Sequence, residues 1–159
     1  IEITPLDNDH ASTRATWDML VLCGNPGNPE SGATFNPRTS DYGWFAMPDN
    51  FAVDSRGRLW VATDGNKPKI TARTDGIWAM QVDGNLRGTA KHFVQAPIGA
   101  EVCGPTFTAD DETLFASIQH PGGESSFDQP STRWPDFDPG MPPRPAVIAI
   151  TRIGGGKIA

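Results

Sequence analysis

PDNFAVDSRGRLWVATDG, residues 48–65, decides how the rest of the chain is read. Two strand-like segments, FAVD (51–54) and RLWVATD (58–64), are joined by a short Asp-containing turn. Asp49 and Asn50 open the stretch, and Asp64 followed by Gly65 closes it. β-Branched and aromatic residues bounded by Pro, Asp and Gly favour extended chain, because branched side chains pack well on a pleated surface. FTADDETLFAS (107–117) repeats the order: Phe, two residues, Asp, a turn, Leu, an aromatic and a small residue. Each copy reads as a hairpin whose Asp shapes the turn, with Asp54 and Asp110 as the turn-formers.

Moving outward, TWDMLVLCG (16–24), GIWAMQVD (76–83), AKHFVQAP (90–97), GPTFTAD (104–110), TLFASIQ (113–119) and AVIAITR (146–152) have the same strand character. No window carries a helical stripe with caps at both ends. Two stretches read as long loops, 24–44 and 120–145, and structureless loops of that length usually serve a function or a partner surface. Four antiparallel strands per unit, repeating at about 50 residues, are the pattern of a propeller blade. The expectation is an all-β chain, a partial β-propeller of about two to three blades excised from a larger one. Its units would be 48–100 and 101–159, with 1–47 supplying strands and a loop of a preceding blade. A β-sandwich with two similar hairpins is the competing architecture.

Composition narrows the function classes. The 159 residues contain 17 glycines and 15 prolines, which implies turns and loops rather than helices. The formal net charge is −6 with no block of Lys or Arg, which argues against nucleic acid or an anionic membrane as a partner. There is no apolar run of transmembrane length. The chain opens on IEIT, without Met and without a signal-peptide pattern, and reads as trimmed or excised. Two cysteines, Cys23 and Cys103, are too few for a zinc framework. They read as small buried hydrophobes, with a disulfide or a single metal-binding thiol as alternatives.

In a propeller the innermost strands line a central channel, so polar residues at their ends in successive blades can converge. Asp49, Asn50 and Asp64 flank strands of the first unit, and Glu101 holds the matching place before the second. Carboxylate and amide oxygens suit hard cations, calcium above all. Asp64, which precedes a glycine, also has the pattern of a turn-former. Glu101 lies between Ala100 and Val102 and has no local backbone task, which marks it as a site residue. Trp60, Trp78 and Phe115 fall at positions that read as blade core.

Two motifs extend this reading. GAEVCGPTFTADDETLFASIQHPGG (99–123) resembles the GAEVTGP, TLF and IQHPG signature of the PhoX-type alkaline phosphatases, and PDNFAVDSRGRLWVATDG resembles the PDN, GRLW and TDG signature preceding it. The opening residues 1–26 and the stretch 125–150 are similar to the family's WD-containing and WP/RP segments. The resemblance implies a C-terminal quarter to third of a calcium- and iron-bearing propeller that hydrolyses phosphate monoesters. It implies a metal-ligating role for Glu101, weaker ones for Asp49, Asn50 and Asp64, and substrate contact for His120, whose imidazole also suits anchoring a turn. It further implies a secreted or periplasmic protein with most ligands, including an iron-binding thiolate, upstream. Cys103 stands where many members carry Thr and is not equated with that thiolate. The GRLWVATDG stretch is also similar to calcium-dependent lactonase propellers, and a non-catalytic calcium-binding or scaffold propeller is a further alternative. Because blades bury one another's faces, a two-blade piece is expected to self-associate and to be inactive alone.

Overall fold

The computed structural model describes residues 1–158, apart from the side chain of Ile70. Among the described residues, nine strands form three antiparallel sheets. Strands β1 (Glu2–Pro5) and β2 (Ala15–Asp18) make a hairpin. Strands β3 (Pro48–Val53), β4 (Leu59–Thr63), β5 (Gly76–Met80) and β6 (Ala90–Gln95) make a four-stranded meander. Strands β7 (Glu101–Phe107), β8 (Thr113–Gln119) and β9 (Ala146–Thr151) make a three-stranded one. The helical content of the described residues is small: one turn, α1 (Pro68–Thr71), and three short 3-10 turns.

The four-stranded sheet is covered on both faces, which accounts for the unbroken apolar run in LWVAT. Trp60, Ala62 and Ile77 point to one side and pack against Val102, Leu114, Ala116 and Ile118 of the three-stranded sheet. Val61, Trp78 and Met80 point to the other and pack against Phe45, Leu20, Val21 and Phe35. Alternation on a strand puts successive residues on opposite faces, and here both faces are core. Trp60 and Trp78 are almost completely buried, at 1% and 0% exposure. Burying side chains of that size contributes roughly 25 cal/mol per Å² of apolar surface removed from water.

Two expectations are corrected. Phe115 is 40% exposed rather than core, because it lies on the face of the three-stranded sheet away from the four-stranded one, beside the exposed Val147. The stretch 16–24 is a strand only to Asp18, after which Leu20, Val21 and Cys23 turn down onto the four-stranded sheet. Leu22 keeps a single bridge to Thr34. The segment 120–145 is a long loop, as expected, and a packed one: Trp134 lies against the core, and Arg144 grips both Asp136 oxygens at 2.8 and 2.7 Å.

Antiparallel order places the connections alternately at two ends. The starts of β3 and β7, the β4–β5 loop and the β8–β9 segment meet at one end, and the β3–β4 and β7–β8 turns lie at the other. All five sequence-predicted site residues belong to the first end.

Candidate functional site

Both inner strands carry a register shift near their start, between Pro48 and Phe51 in β3 and between Cys103 and Thr106 in β7. Bulges of this kind re-aim side chains and are frequent beside functional sites. Asp49 and Asn50 lie within the first. The Asn50 side-chain carbonyl accepts from the Gly104 amide at 3.0 Å, so one bulge is tied to the other across the two sheets. Gly104 has φ +61°, a backbone conformation that glycine adopts without strain. Asp49 is exposed.

Glu101 opens β7, and its side chain is only 16% exposed. Gln119, its cross-strand partner, donates from Nε2 to Glu101 Oε1 at 3.0 Å and also reaches the Cys103 sulfur. His120 Nε2 lies 3.2 Å from Glu101 Oε2. The other ring nitrogen, Nδ1, lies 3.0 Å from the Gly99 carbonyl oxygen, which can only accept. A ring flanked by two acceptors is best served by two N–H donors, and therefore by the imidazolium. The His120 pKa is accordingly raised, first by the Gly99 carbonyl and also by Glu101, against the opposing effect of burial. His120 thus anchors the 99–101 turn and contacts the second oxygen of Glu101.

The β4–β5 loop is organised by a residue that sequence reading did not single out. Asp75, 4% exposed, accepts from Thr63 Oγ1 at 2.7 Å, from the amides of Gly65 and Asn66, and from Asn66 Nδ2 at 2.8 Å. The turn-former of this loop is therefore Asp75, not Asp64. Asp64 is left exposed, and among the described residues its carboxylate accepts no hydrogen bond. The available signal was the second Thr-Asp-Gly, 74–76, echoing 63–65.

A cleft of about 820 Å³ opens between this loop and the start of the β8–β9 segment, lined by Asp64, Asn66, Lys67, Ile98, His120 and Glu124 among others. Lys67 and Glu124 form an ion pair across it. Glu101 and His120 are thus in contact, and His120 and Asp64 share one cleft. Asp49 and Asn50 lie outside its lining. No group of three His, Cys, Asp or Glu side chains able to hold a metal gathers among the described residues. The donors suit a hard cation in kind but supply only part of the six to eight oxygens calcium takes. Both cysteines are free. Burial raises the Cys23 thiol from 9.0 to about 11, which makes it an inert packing group.

An all-β chain built of blade-like antiparallel meanders has the form of a propeller segment. The model of the alkaline phosphatase PhoX family matches residues 1–122, and the chain belongs to that family. No curated protein matches it. Among solved structures, Pseudomonas fluorescens PhoX in complex with vanadate, a transition state analogue, is 33% identical with a TM-score of 0.82. That match covers 98% of this chain and 26% of the relative, so the chain spans about a quarter of that protein and forms part of a larger propeller.

Proposed function

We propose that this chain is one segment of a secreted or periplasmic metal-dependent phosphatase that hydrolyses phosphate monoesters, with Glu101 its main contribution to the centre. The observation that carries this reading is the Glu101 carboxylate at the start of an inner strand, held by Gln119 on one oxygen and His120 on the other. Family membership supports the reaction class, and the relative's vanadate is an oxyanion of phosphate-like shape. Calcium fits the oxygen donors, while iron rests on the family likeness alone. Bound metal would supply charge neutralisation at the phosphoryl oxygens. The chain's own residues orient and pre-organise: Gln119 and His120 hold the two Glu101 oxygens in place. Asp64 and Asp49 offer further oxygens at the same end, with the remaining ligands contributed from outside this segment.

The test uses the complete protein: metal content by inductively coupled plasma mass spectrometry, and hydrolysis of p-nitrophenyl phosphate with and without Glu101→Gln. The expected result is calcium and iron in the purified protein and at least about a 100-fold loss of hydrolysis in the variant. Calcium with no phosphatase activity would move the assignment to a lactonase-like or binding propeller. Produced alone, the segment is expected to be inactive and to self-associate through the Phe115–Val147 face and the open edge of β9. A clean monomer on size-exclusion chromatography would count against that last point.

A further inference from the structure

We infer that Gly99 and Gly123 are positioning residues of the centre: their backbones lock His120 in a left-handed turn, and that turn lets two consecutive residues grip both oxygens of Glu101. The inference rests on the phosphatase reading and adds how its main carboxylate is set. Gln119 Nε2 meets Glu101 Oε1 at 3.0 Å, and His120 Nε2 meets Oε2 at 3.2 Å. Neighbours on a strand point to opposite faces, so an extended chain would send these two side chains apart. The strand ends at Gln119, and His120 takes φ +34°, a conformation in which a residue bearing a Cβ is strained. The turn brings the imidazole round to the carboxylate that Gln119 already holds.

What holds the strained turn is backbone, because the His120 side chain is 54% exposed and gains little from packing. The turns at 98–101 and 120–123 lie against each other. Gly122 N donates to the Ile98 carbonyl at 2.9 Å, and Gly123 N donates to the His120 carbonyl at 2.9 Å. Between them, His120 Nδ1 lies 3.0 Å from the Gly99 carbonyl oxygen. This approach leaves no room for a side chain at either glycine. A Cβ at Gly99 would lie 3.1 Å from the Gly123 nitrogen and 3.3 Å from the Gly122 carbonyl carbon. A Cβ at Gly123 would lie 3.0 Å from the His120 carbonyl oxygen and 3.1 Å from its Nδ1. In a close-packed structure contacts that short make a neighbour give way. Both of the tightest contacts at Gly123 are with His120, so a methyl group there displaces the imidazole or the peptide that carries it. Glu101 then keeps Gln119 alone, and one oxygen loses its partner.

The experiment is a double-mutant cycle in the complete protein, combining Gly123→Ala with His120→Asn. It reads calcium content by inductively coupled plasma mass spectrometry and kcat/KM for p-nitrophenyl phosphate. Asparagine tolerates the left-handed conformation, so His120→Asn removes the contact with Glu101 and keeps the turn. Each single variant is expected to lose about tenfold in kcat/KM and to hold less calcium. The double variant is expected to match the singles, because Gly123 acts through His120. Gly99→Ala should behave as Gly123→Ala does. Losses that multiply to about 100-fold in the double variant, or a Gly123→Ala protein at unmodified levels, would overturn the inference. Failure of both alanine variants to fold would assign the glycines to the fold rather than to the centre, and would overturn it as well. An unmodified protein that holds calcium but hydrolyses no phosphate ester would overturn the phosphatase reading alone, with the cycle then read from calcium content. An unmodified protein with neither calcium nor hydrolysis would overturn both.

Discussion

The two ends of the paired sheets treat their carboxylates in opposite ways. At the turn end, Asp54 accepts from the Trp60 indole at 2.8 Å, from Arg58 Nε at 2.7 Å, and from the amides of Arg56 and Arg58. Asp111 reaches across to Ser55 of the other hairpin and is joined by Lys157. At the opposite end Asp49 and Asp64 are exposed, and Glu101 meets one amide and one imidazole. A carboxylate surrounded by donors is a structural fastener, because its charge is already spent. One left with few donors at an inner strand end retains oxygen lone pairs for something that is not protein. Asp75 qualifies the rule: it lies at the open end yet is fully engaged, which is why it shapes the loop instead of facing a ligand.

The largest expected effect tests the fastened end. Asp54→Ala leaves an indole, two amides and a half-buried guanidinium without their acceptor, and should cost about 3 kcal/mol in urea unfolding. A loss below about 1 kcal/mol would break the distinction between the ends. The same residue sets a pH dependence. Burial acts to raise the Asp54 pKa, but hydrogen bonds from Trp60, Arg58 and Arg56 outweigh it, and the pKa falls below its ordinary 3.8. The group binds a proton more readily unfolded than folded, so its contribution is present above pH 3.8 and is lost as pH falls through the lower folded value. Asp54→Asn should flatten that acid limb of the stability curve.

Asp111→Asn should lower the urea midpoint by less than Asp54→Ala, since it loosens one clasp between sheets rather than a buried network. Glu101→Gln is expected to cost under about 1 kcal/mol of stability, because the amide keeps one oxygen for Gln119 or His120. Its loss should appear in hydrolysis instead, and a large drop in stability without a drop in activity would make Glu101 a fastener after all. The smallest effect is expected for Asp64→Asn, with no measurable change in midpoint and a fall in metal content of the complete protein. A clear destabilisation would reveal a partner for its carboxylate.

Much of this was legible in the chain itself. Asp54 and Asp110 were readable as turn-formers, and both accept backbone amides two residues on. Their partners lie within a few positions, so local chemistry suffices. Glu101 stood out because nothing near it in sequence needed a carboxylate. Its neighbour His120 was readable as a turn anchor or a substrate contact, but its contact with Glu101 arises only when β7 and β8 pair. Asn50 read as an oxygen donor for a cation, and its bond to Gly104 depends on two sheets lying side by side.

The sequence by itself determined most of the strands, their order and the hairpin turns, because alternation, branching and Asx turn chemistry act over a handful of residues. Tertiary structure alone decided which carboxylates are spent and which are left open. Asp75 rather than Asp64 came to hold the β4–β5 loop, Phe115 came to face outward, and His120 came to join Glu101 to a cleft. Those outcomes depend on packing between segments far apart in the chain, where the same residue type can be buried among donors or left facing water.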